Sequence, residues 1–462
     1  MKRFFSSLLV LLSVASVANA QQTIPAFASG DRVALVGDSI THGGHYHSYI
    51  WLYYMTRFPD MPLTIMNCGV GGDTAENIIN RWDWDVIRRN PTYITLTFGM
   101  NDTGYFGVYG KDVPASLSER KVSESLGNFS KLVGKLEGTD AKVVMIGGSP
   151  YDETTTFNNG SLPGKNAAIR KIISAQEAAA KDHGWGFVDF NEPMVEIAAK
   201  AQAEDPKYSF CPQDRIHPDK DGQMTMAWLF LKAQGLAGKK VAEVDVDAKA
   251  RKLRAADNCT IYDLRKDGDG ISFDYLANSL PYPCDSVSEH GWGNIHSQRD
   301  AMKMIPFMEE FNQEVLRVRK LPEGDYLLKI DDQPIAFFKA SELAEGINMA
   351  ALTNTPQYRQ ASEIMYLNEE RFEIEKRLRE YVWMEYCMFN GTDQMFKDDW
   401  QSLEMVEKEA RRNFFVAASG YWYKKSVSPA IRELWQRQMS EIVDTIYSIN
   451  KPVKRHISIQ KP

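Results

Sequence analysis

The amino-acid sequence predicts an α/β fold over residues 31–236, in which a parallel sheet is covered by helices on both faces. Short apolar runs typical of strands alternate with segments of helical periodicity along this whole stretch. Three candidate chemical groups, Ser39, Gly72 and Asn101, each come shortly after one of the predicted strands. Catalytic and binding sites of such sheets lie at the carboxyl ends of the strands, so the two observations support one another.

Five strands and five helices are predicted in this first region. The strand candidates are short apolar runs bounded by Gly, Pro, Asn or Asp, at residues 33–36, 63–67, 93–97, 143–146 and 186–188. The helical candidates are residues 47–57, 74–88, 119–136, 167–183 and 223–234. Asp73 or Thr74 is a suitable N-cap for the second helix, because either side chain can accept a hydrogen bond from a free backbone N–H group.

Two further regions are predicted after the first domain, which we place at residues 21–237. The polar stretch 238–256 is expected to end that domain. Residues 258–348 predict a small β-rich domain, because β-like runs such as 326–330 are followed by turn signals. The sequence Asp-Gly-Asp-Gly at 267–270 is interpreted as a hairpin turn.

The C-terminal region, residues 356–462, is predicted to be helical. Two or three long antiparallel helices are expected near residues 360–389, 396–417 and 429–449. The charged segments 369–379 and 404–412 are typical of solvated helix faces with ion pairs between residues four apart. The sequence alone assigns no function to this half of the chain.

The N-terminus predicts export. Lys2 and Arg3 precede an apolar stretch from about residue 8 to residue 17, and Ala18-Asn19-Ala20 has the form of a cleavage site. Residues 1–20 are therefore interpreted as a signal peptide, which places the mature protein in the periplasm or outside the cell. No later apolar run is long enough to predict a membrane span.

Charge and cysteine content exclude some classes of function. The formal net charge of −7 gives no electrostatic support to nucleic-acid binding. Five sparse cysteines do not predict a disulfide scaffold. Cys259 with Cys284 is the pair most worth testing for a disulfide, and buried free thiols are the alternative.

A serine nucleophile and its base are the central prediction. Ser39 lies in the turn Gly37-Asp38-Ser39 at the end of the first strand, where its hydroxyl would be exposed at the sheet edge. Serine needs a base to remove its proton, and His217, three residues after Asp214, can serve as that base with the carboxylate orienting the imidazole. Each motif alone is also compatible with an ordinary turn or surface loop.

Two further motifs predict stabilisation of an oxyanion. Gly72 lies in a glycine-rich loop between a strand and a helix start, where a backbone N–H can approach a substrate. The side-chain amide of Asn101 follows the third strand, and the Ser39 backbone N–H completes the expected set of donors. A phosphate-binding loop is the alternative for the Gly72 segment, but it lacks the lysine of a P-loop.

In this order, the four blocks around Ser39, Gly72, Asn101 and His217 resemble the SGNH hydrolase superfamily, also known as GDSL esterases and lipases. Asp214 stands at the matching acid position. The resemblance covers about residues 31–236 and implies a flavodoxin-like three-layer α/β/α domain. It also implies acyl-ester hydrolysis through an acyl-enzyme, without a cofactor. Segments near the nucleophile are similar to a multidomain bacterial subgroup, which suggests esters of carbohydrates.

Substrate contacts are expected from His42, Tyr105 and Phe106, which follow the nucleophile and Asn101 closely. Aromatic rings stack well on sugars, although packing within the domain is the alternative for such residues. His42 forms a cluster with His45 and His47, but the sequence offers no acidic or cysteine ligand in matching spacing. No metal site is therefore predicted.

The sequence thus predicts an exported serine esterase that removes acyl groups, most simply acetyl, from an acylated carbohydrate. A hydrolase of lipidic or aryl esters with the same catalytic residues is one alternative. A carbohydrate-binding protein on an inactive esterase fold is another, and the complete residue set argues against it. The sequence leaves the oligomeric state open.

Overall fold

A computed structural model of the protein describes residues 23–157, 160–287 and 295–462. Its first sheet has five parallel strands in the order β2-β1-β3-β4-β5, which is the flavodoxin-like order. The strands are β1 (Arg32–Gly37), β2 (Thr64–Gly69), β3 (Tyr93–Leu96), β4 (Lys142–Gly147) and β5 (Gly186–Asp189). All five predicted strands are confirmed, and β2 lies at an edge of the sheet.

Seven α-helices connect the strands of this sheet or follow it. They are α1 (Ser39–His42), α2 (Tyr46–Arg57), α3 (Ala75–Arg81), α4 (Ala115–Glu137), α5 (Lys165–His183), α6 (Asn191–Glu204) and α7 (Lys220–Ala233). The predicted helix 74–88 is shorter than expected, because a π-helical turn at Trp82–Val86 and a 3₁₀ turn at Ile87–Arg89 follow α3. Thr74 is the N-cap of α3, as the sequence allowed, and Asn77 completes a capping box.

Alternate residues of the inner strand β1 pack into two separate cores. Val33 and Leu35 belong to a core with α2 and α7, whereas Ala34 and Val36 belong to a core with α3 and α4. This alternation is the two-residue period of a strand that is covered on both faces. The three-layer α/β/α architecture predicted for the first region is therefore confirmed.

The second region consists of two sheets that share one apolar core. One sheet has the order β13-β10-β6-β7 and the other has the order β12-β11-β14-β9-β8. Their strands are β6 (Ala242–Asp247), β7 (Lys252–Asp257), β8 (Cys259–Asp267), β9 (Gly270–Ala277), β10 (Glu314–Arg319), β11 (Asp325–Ile330), β12 (Gln333–Lys339), β13 (Ile347–Asn348) and β14 (Arg455–Gln460). The short helices α8 (Phe307–Phe311) and α9 (Ala340–Glu345), with 3₁₀ turns at Gln298–Lys303 and Met349–Ala351, connect them.

Two expectations about this region were wrong. The polar stretch 238–256 contains β6 and nearly all of β7. Only every second residue of β6 is apolar and belongs to the core, the acidic residues between them pair with basic side chains, and β7 lies exposed at the sheet edge. The last strand, β14, comes from the part of the chain where only helices were expected, and it pairs with β9 and β11. The hairpin turn predicted at 267–270 is present, and the turn signal after 326–330 corresponds to a second hairpin turn at Asp331 and Asp332.

The helical region contains four α-helices: α10 (Pro356–Met384), α11 (Trp400–Ala410), α12 (Phe414–Ser426) and α13 (Pro429–Ile449). A π-helical turn, Glu385–Phe389, extends α10. The single helix expected over 396–417 is divided, because Asn413 caps a new helix by accepting hydrogen bonds from the Phe415 and Val416 N–H groups.

Part of the charged segment 369–379 of α10 is buried, contrary to the sequence-based expectation, although Glu370 and Glu373 are exposed as expected. Arg371, Glu375 and Arg379 are 2%, 8% and 1% exposed. Arg371 pairs with Glu375 at 2.8 Å, and Arg379 pairs with Asp85 of the first domain at 2.7 Å. Buried charges need such partners, and a partner almost 300 residues away leaves no periodic signal in the sequence.

All five cysteines lie in the described part of the chain and are free thiols, so the Cys259–Cys284 pair is not a disulfide here. The predicted signal peptide, residues 1–20, lies outside the described residues. Among the described residues, no helix is both long enough and apolar enough to cross a membrane.

Glu314, at the start of β10, lies where the second region contacts helix α10, because Gln357 of that helix is one of its hydrogen-bond partners. Its carboxylate accepts hydrogen bonds from Tyr275 Oη at 2.9 Å and Gln357 Nε2 at 3.1 Å, and burial raises its pKa from 4.5 to about 7. Since the folded state binds this proton more tightly, the contribution to stability is complete below pH 4.5 and is lost as the pH rises through about 7.

We therefore expect Glu314→Gln to raise the free energy of unfolding relative to wild type by about 2 kcal/mol more at pH 8 than at pH 5. Urea titrations of both proteins at the two pH values measure this difference. Glu323→Gln, an exposed carboxylate in a turn, is the control and should show no such change. An equal effect of Glu314→Gln at both pH values would contradict the raised pKa of Glu314.

Candidate active site

Four chain segments meet at the carboxyl edge of the first sheet. Ser39 follows β1, Gly72 lies in the loop after β2, and Asn101 lies in the turn after β3. Asp214 and His217 come from the loop before α7. Parallel strands end at the same edge of a sheet, which is why residues distant in sequence converge here.

The first group that the structure brings together is a Ser-His-Asp arrangement. Ser39 Oγ lies 2.8 Å from His217 Nε2, and His217 Nδ1 lies 2.5 Å from Asp214 Oδ2. Because Nδ1 faces the carboxylate, it carries the proton, and the unprotonated Nε2 can accept one from the serine hydroxyl. All three side chains are partly exposed, so a substrate can reach the hydroxyl.

Asp214 is held as a carboxylate. Its Oδ1 atom accepts hydrogen bonds from the Ile216 and His217 N–H groups, both at 2.9 Å. Burial acts to raise the pKa of Asp214, but the hydrogen bonds from the His217 side chain and from the His217 and Ile216 backbone outweigh it and lower that pKa below its ordinary value. The carboxylate therefore stays charged beside the imidazole at neutral pH.

Arg215, between the two residues of this loop, fixes its shape and was missed in the sequence. It adopts a left-handed backbone conformation with φ of +69°, which is unusual for a residue other than glycine. Its buried guanidinium donates hydrogen bonds to the carbonyl oxygens of Asp152, Thr155 and Phe157 at 3.0 to 3.1 Å. The only sequence signal was its position within the Asp-x-x-His motif.

The second group consists of N–H groups of Gly72 and Asn101 that are candidate donors for a developing negative charge. Gly72 is exposed and has a φ of +87°, a conformation that favours glycine. Within the described part of the chain, no acceptor is found for its N–H group. Asn101 Nδ2 donates one hydrogen bond, to the Asp73 carbonyl oxygen at 2.9 Å, so its second hydrogen is available.

Tyr105 and Lys165 hold Asn101 in this orientation. The Tyr105 hydroxyl donates to Asn101 Oδ1 at 2.7 Å, which leaves the amide nitrogen to face the Asp73 carbonyl oxygen. Lys165 Nζ donates to the carbonyl oxygens of Met100 and Gly104, both at 2.6 Å, and lies 4.0 Å from the centre of the Tyr105 ring. Burial lowers the pKa of Lys165 to about 7. Nothing in the sequence pattern identified Lys165.

The residues predicted to contact substrate occupy different positions. His42 is only 8% exposed, and its Nδ1 atom accepts a hydrogen bond from the Gly71 N–H at 3.2 Å. Tyr105 is engaged with Asn101, as described, whereas Phe106 is 83% exposed in the loop beyond it. Contact with substrate stays a prediction for all three.

Comparison with known proteins gives the same interpretation as the geometry. The GDSL-like lipase/acylhydrolase family profile matches residues 35–224. The profile called diltiazem deacetylase C-terminal helical domain matches residues 362–451.

Two similar proteins cover the chain to different extents. A solved structure of a gut microbial diltiazem-metabolizing enzyme is 44% identical, has a TM-score of 0.92, and the match covers 96% of this chain and 100% of that chain. An acetylxylan esterase of Geobacillus stearothermophilus is 27% identical over 228 residues, which cover 45% of this chain and 95% of that protein. The protein is a carboxylic ester hydrolase, and it belongs to the GDSL-like lipase/acylhydrolase family within the SGNH hydrolase superfamily.

Proposed function

We propose that the protein hydrolyses acetyl esters through a covalent intermediate on Ser39. Ser39 Oγ attacks the ester carbonyl carbon while its proton moves to His217 Nε2. When the tetrahedral intermediate collapses, the alcohol oxygen leaves and takes that proton. Water then attacks the acetyl-enzyme while His217 takes one of its protons; the bond between the acetyl carbon and Ser39 Oγ breaks, Oγ takes the proton back from His217, and acetate is released. The 2.8 Å contact between Ser39 Oγ and His217 Nε2 is the observation that carries this proposal.

In this proposal three donors stabilise the oxyanion: the Ser39 N–H, the Gly72 N–H and the Asn101 amide. Because these groups are fixed before the reaction, they stabilise charge that develops in the transition state without reorganising at that moment. The nucleophile, the base and the donors all come from the chain itself. The proposed reaction therefore uses no cofactor.

The acyl group is proposed to be acetyl. One similar protein is an acetylxylan esterase, and the helical region matches a profile that carries the name of a deacetylase. We propose an acetylated carbohydrate as the natural substrate, handled outside the cytoplasm, because residues 1–20 have the three parts of a signal peptide.

A second candidate is a small-molecule acetyl ester of the diltiazem type. It is favoured by the diltiazem-metabolizing enzyme, which is 44% identical over a match that covers 96% of this chain. The match to the acetylxylan esterase covers only 45% of this chain. Both candidates use the same residues and differ only in the alcohol that leaves.

The test is the release of acetate from acetylated xylo-oligosaccharides and diltiazem, with p-nitrophenyl acetate, butyrate and octanoate as reporters of acyl length. We expect kcat/KM to fall steeply beyond acetate and to be higher for a glycan than for diltiazem. A preference for octanoate would move the assignment to lipidic esters, and a preference for diltiazem over every glycan would favour the second candidate. If no ester is hydrolysed, the proposed function is wrong.

A further inference from the structure

Helix α10 contacts the end of β2 and the start of the loop that carries Gly72 through three side chains spaced four residues apart. Glu375 Oε1 accepts a hydrogen bond from the Asn67 N–H at 2.9 Å. Arg379 donates two hydrogen bonds to the Gly69 carbonyl oxygen, from Nε at 3.1 Å and from Nη2 at 2.8 Å.

The third contact is that of Trp383, whose Nε1 donates to the Gly71 carbonyl oxygen at 3.1 Å. The three side chains therefore contact the backbone at every second residue: Asn67 and Gly69 at the end of β2, and Gly71 in the loop beyond it.

The spacing of these contacts follows from the geometry of the two elements. Because β2 is an edge strand, the backbone groups of every second residue face away from the sheet and need other partners. Four residues of a helix advance about 6 Å, and two residues of a strand advance about 6.6 Å. A helix aligned with the strand can therefore satisfy successive outward-facing groups with every fourth side chain.

Gly71, directly before the proposed oxyanion donor, is held from both sides. Its N–H donates to His42 Nδ1 at 3.2 Å, and its carbonyl oxygen accepts from Trp383 Nε1. Burial lowers the pKa of His42 to about 3, so the ring stays neutral and Nδ1 remains an acceptor. With both backbone groups of Gly71 fixed, the direction of the Gly72 N–H is fixed as well.

A buried ion cluster links the same helix to Gly37, at the end of β1 and two residues before the nucleophile. Arg379 donates to both carboxylate oxygens of Asp85, at 2.7 and 2.9 Å, and Asp85 also pairs with Arg81 at 2.7 Å. Arg81 in turn donates to the Gly37 carbonyl oxygen at 3.2 Å and pairs with Asp73 at 2.6 Å. Asp73 is also the residue whose carbonyl oxygen orients the Asn101 amide.

We propose that Arg379 and Trp383 are positioning residues that hold the Gly72 N–H where the oxyanion forms, so that the C-terminal helical region completes the active site of the first domain. The inference rests on the proposed role of Gly72. Simple attachment of one region to another needs only buried surface, whereas these side chains bind backbone atoms within three residues of the donor. A displacement of that donor by a fraction of an ångström weakens transition-state stabilisation.

Trp383→Phe tests the proposal, because it removes the N–H donor and keeps an aromatic ring. We expect kcat for p-nitrophenyl acetate to fall about tenfold with KM changed less than about twofold. Affinity for methylboronic acid, which forms a tetrahedral adduct with a nucleophilic serine, should fall by a similar factor. Trp435→Phe is the matched control, since this buried tryptophan of α13 packs against Trp422 within the helical region.

The outcomes separate the inference from the proposed function. If wild type hydrolyses acetate esters and Trp383→Phe lowers only the Tm, the contact is merely structural and the inference is wrong. If wild type hydrolyses no ester, both fail. Should Trp383→Phe not fold, Arg379→Lys gives the same readouts, because it keeps the charge beside Asp85 but loses the paired donors to Gly69.

Discussion

Replacing Ser39 with alanine is expected to lower kcat/KM for acetate esters by about 10⁴-fold or more. Ser39 Oγ is the only atom of the arrangement that would form a bond to the acyl carbon, and its neighbour His217 Nε2 lies 2.8 Å away. Without that atom, the oxyanion donors and the histidine can assist only direct attack by water. The initial rate with p-nitrophenyl acetate, measured at equal protein concentration, tests this prediction.

Ser149→Ala is the matched control for this experiment. Ser149 is buried just beyond the end of β4, and its hydroxyl has no hydrogen-bond partner within the described chain. The same chemical change there should leave kcat/KM within about threefold of wild type. Activity that persists in Ser39→Ala at more than a hundredth of the wild-type rate would exclude Ser39 as the nucleophile.

The first domain could be predicted because its signals are local. Each strand is a short apolar run with clear boundaries, and Ser39, Gly72 and Asn101 each come shortly after one of them. The parallel arrangement then brings these residues to one edge without further information. Asp214 and His217 could be added because a three-residue spacing places both side chains on one loop.

The supporting residues could not be predicted, because their roles depend on contacts between distant segments. Arg379 belongs to a helix whose charges have the spacing of a solvated face, yet it is 1% exposed and bound to Asp85 and Gly69. Lys165 similarly supports Asn101 across a gap of more than sixty residues. A periodic pattern shows which face of a helix is polar, but it does not show whether that polar face is buried against charged partners.

Replacing Asp214 with asparagine is expected to lower kcat by about 10³-fold or more, with little change in KM. Asparagine can still accept the two backbone hydrogen bonds from Ile216 and His217 at one oxygen. In place of Oδ2 it would present an NH₂ group to His217 Nδ1, which in the wild-type protein lies 2.5 Å from that carboxylate oxygen. The imidazole would then carry its proton on Nε2, where it faces Ser39 and cannot act as a base.

Steady-state kinetics on p-nitrophenyl acetate separate an effect on kcat from an effect on KM, and the thermal unfolding curve of the variant shows whether it is folded at the assay temperature. Asp189→Asn is the matched control. This carboxylate, at the end of the edge strand β5, pairs with Arg170 at 2.5 Å and is not part of the Ser-His-Asp arrangement. A fall in kcat of less than about tenfold would mean that Asp214 only shapes the loop. A large rise in KM instead would place Asp214 in the substrate site and leave the orientation of His217 to the backbone around Arg215.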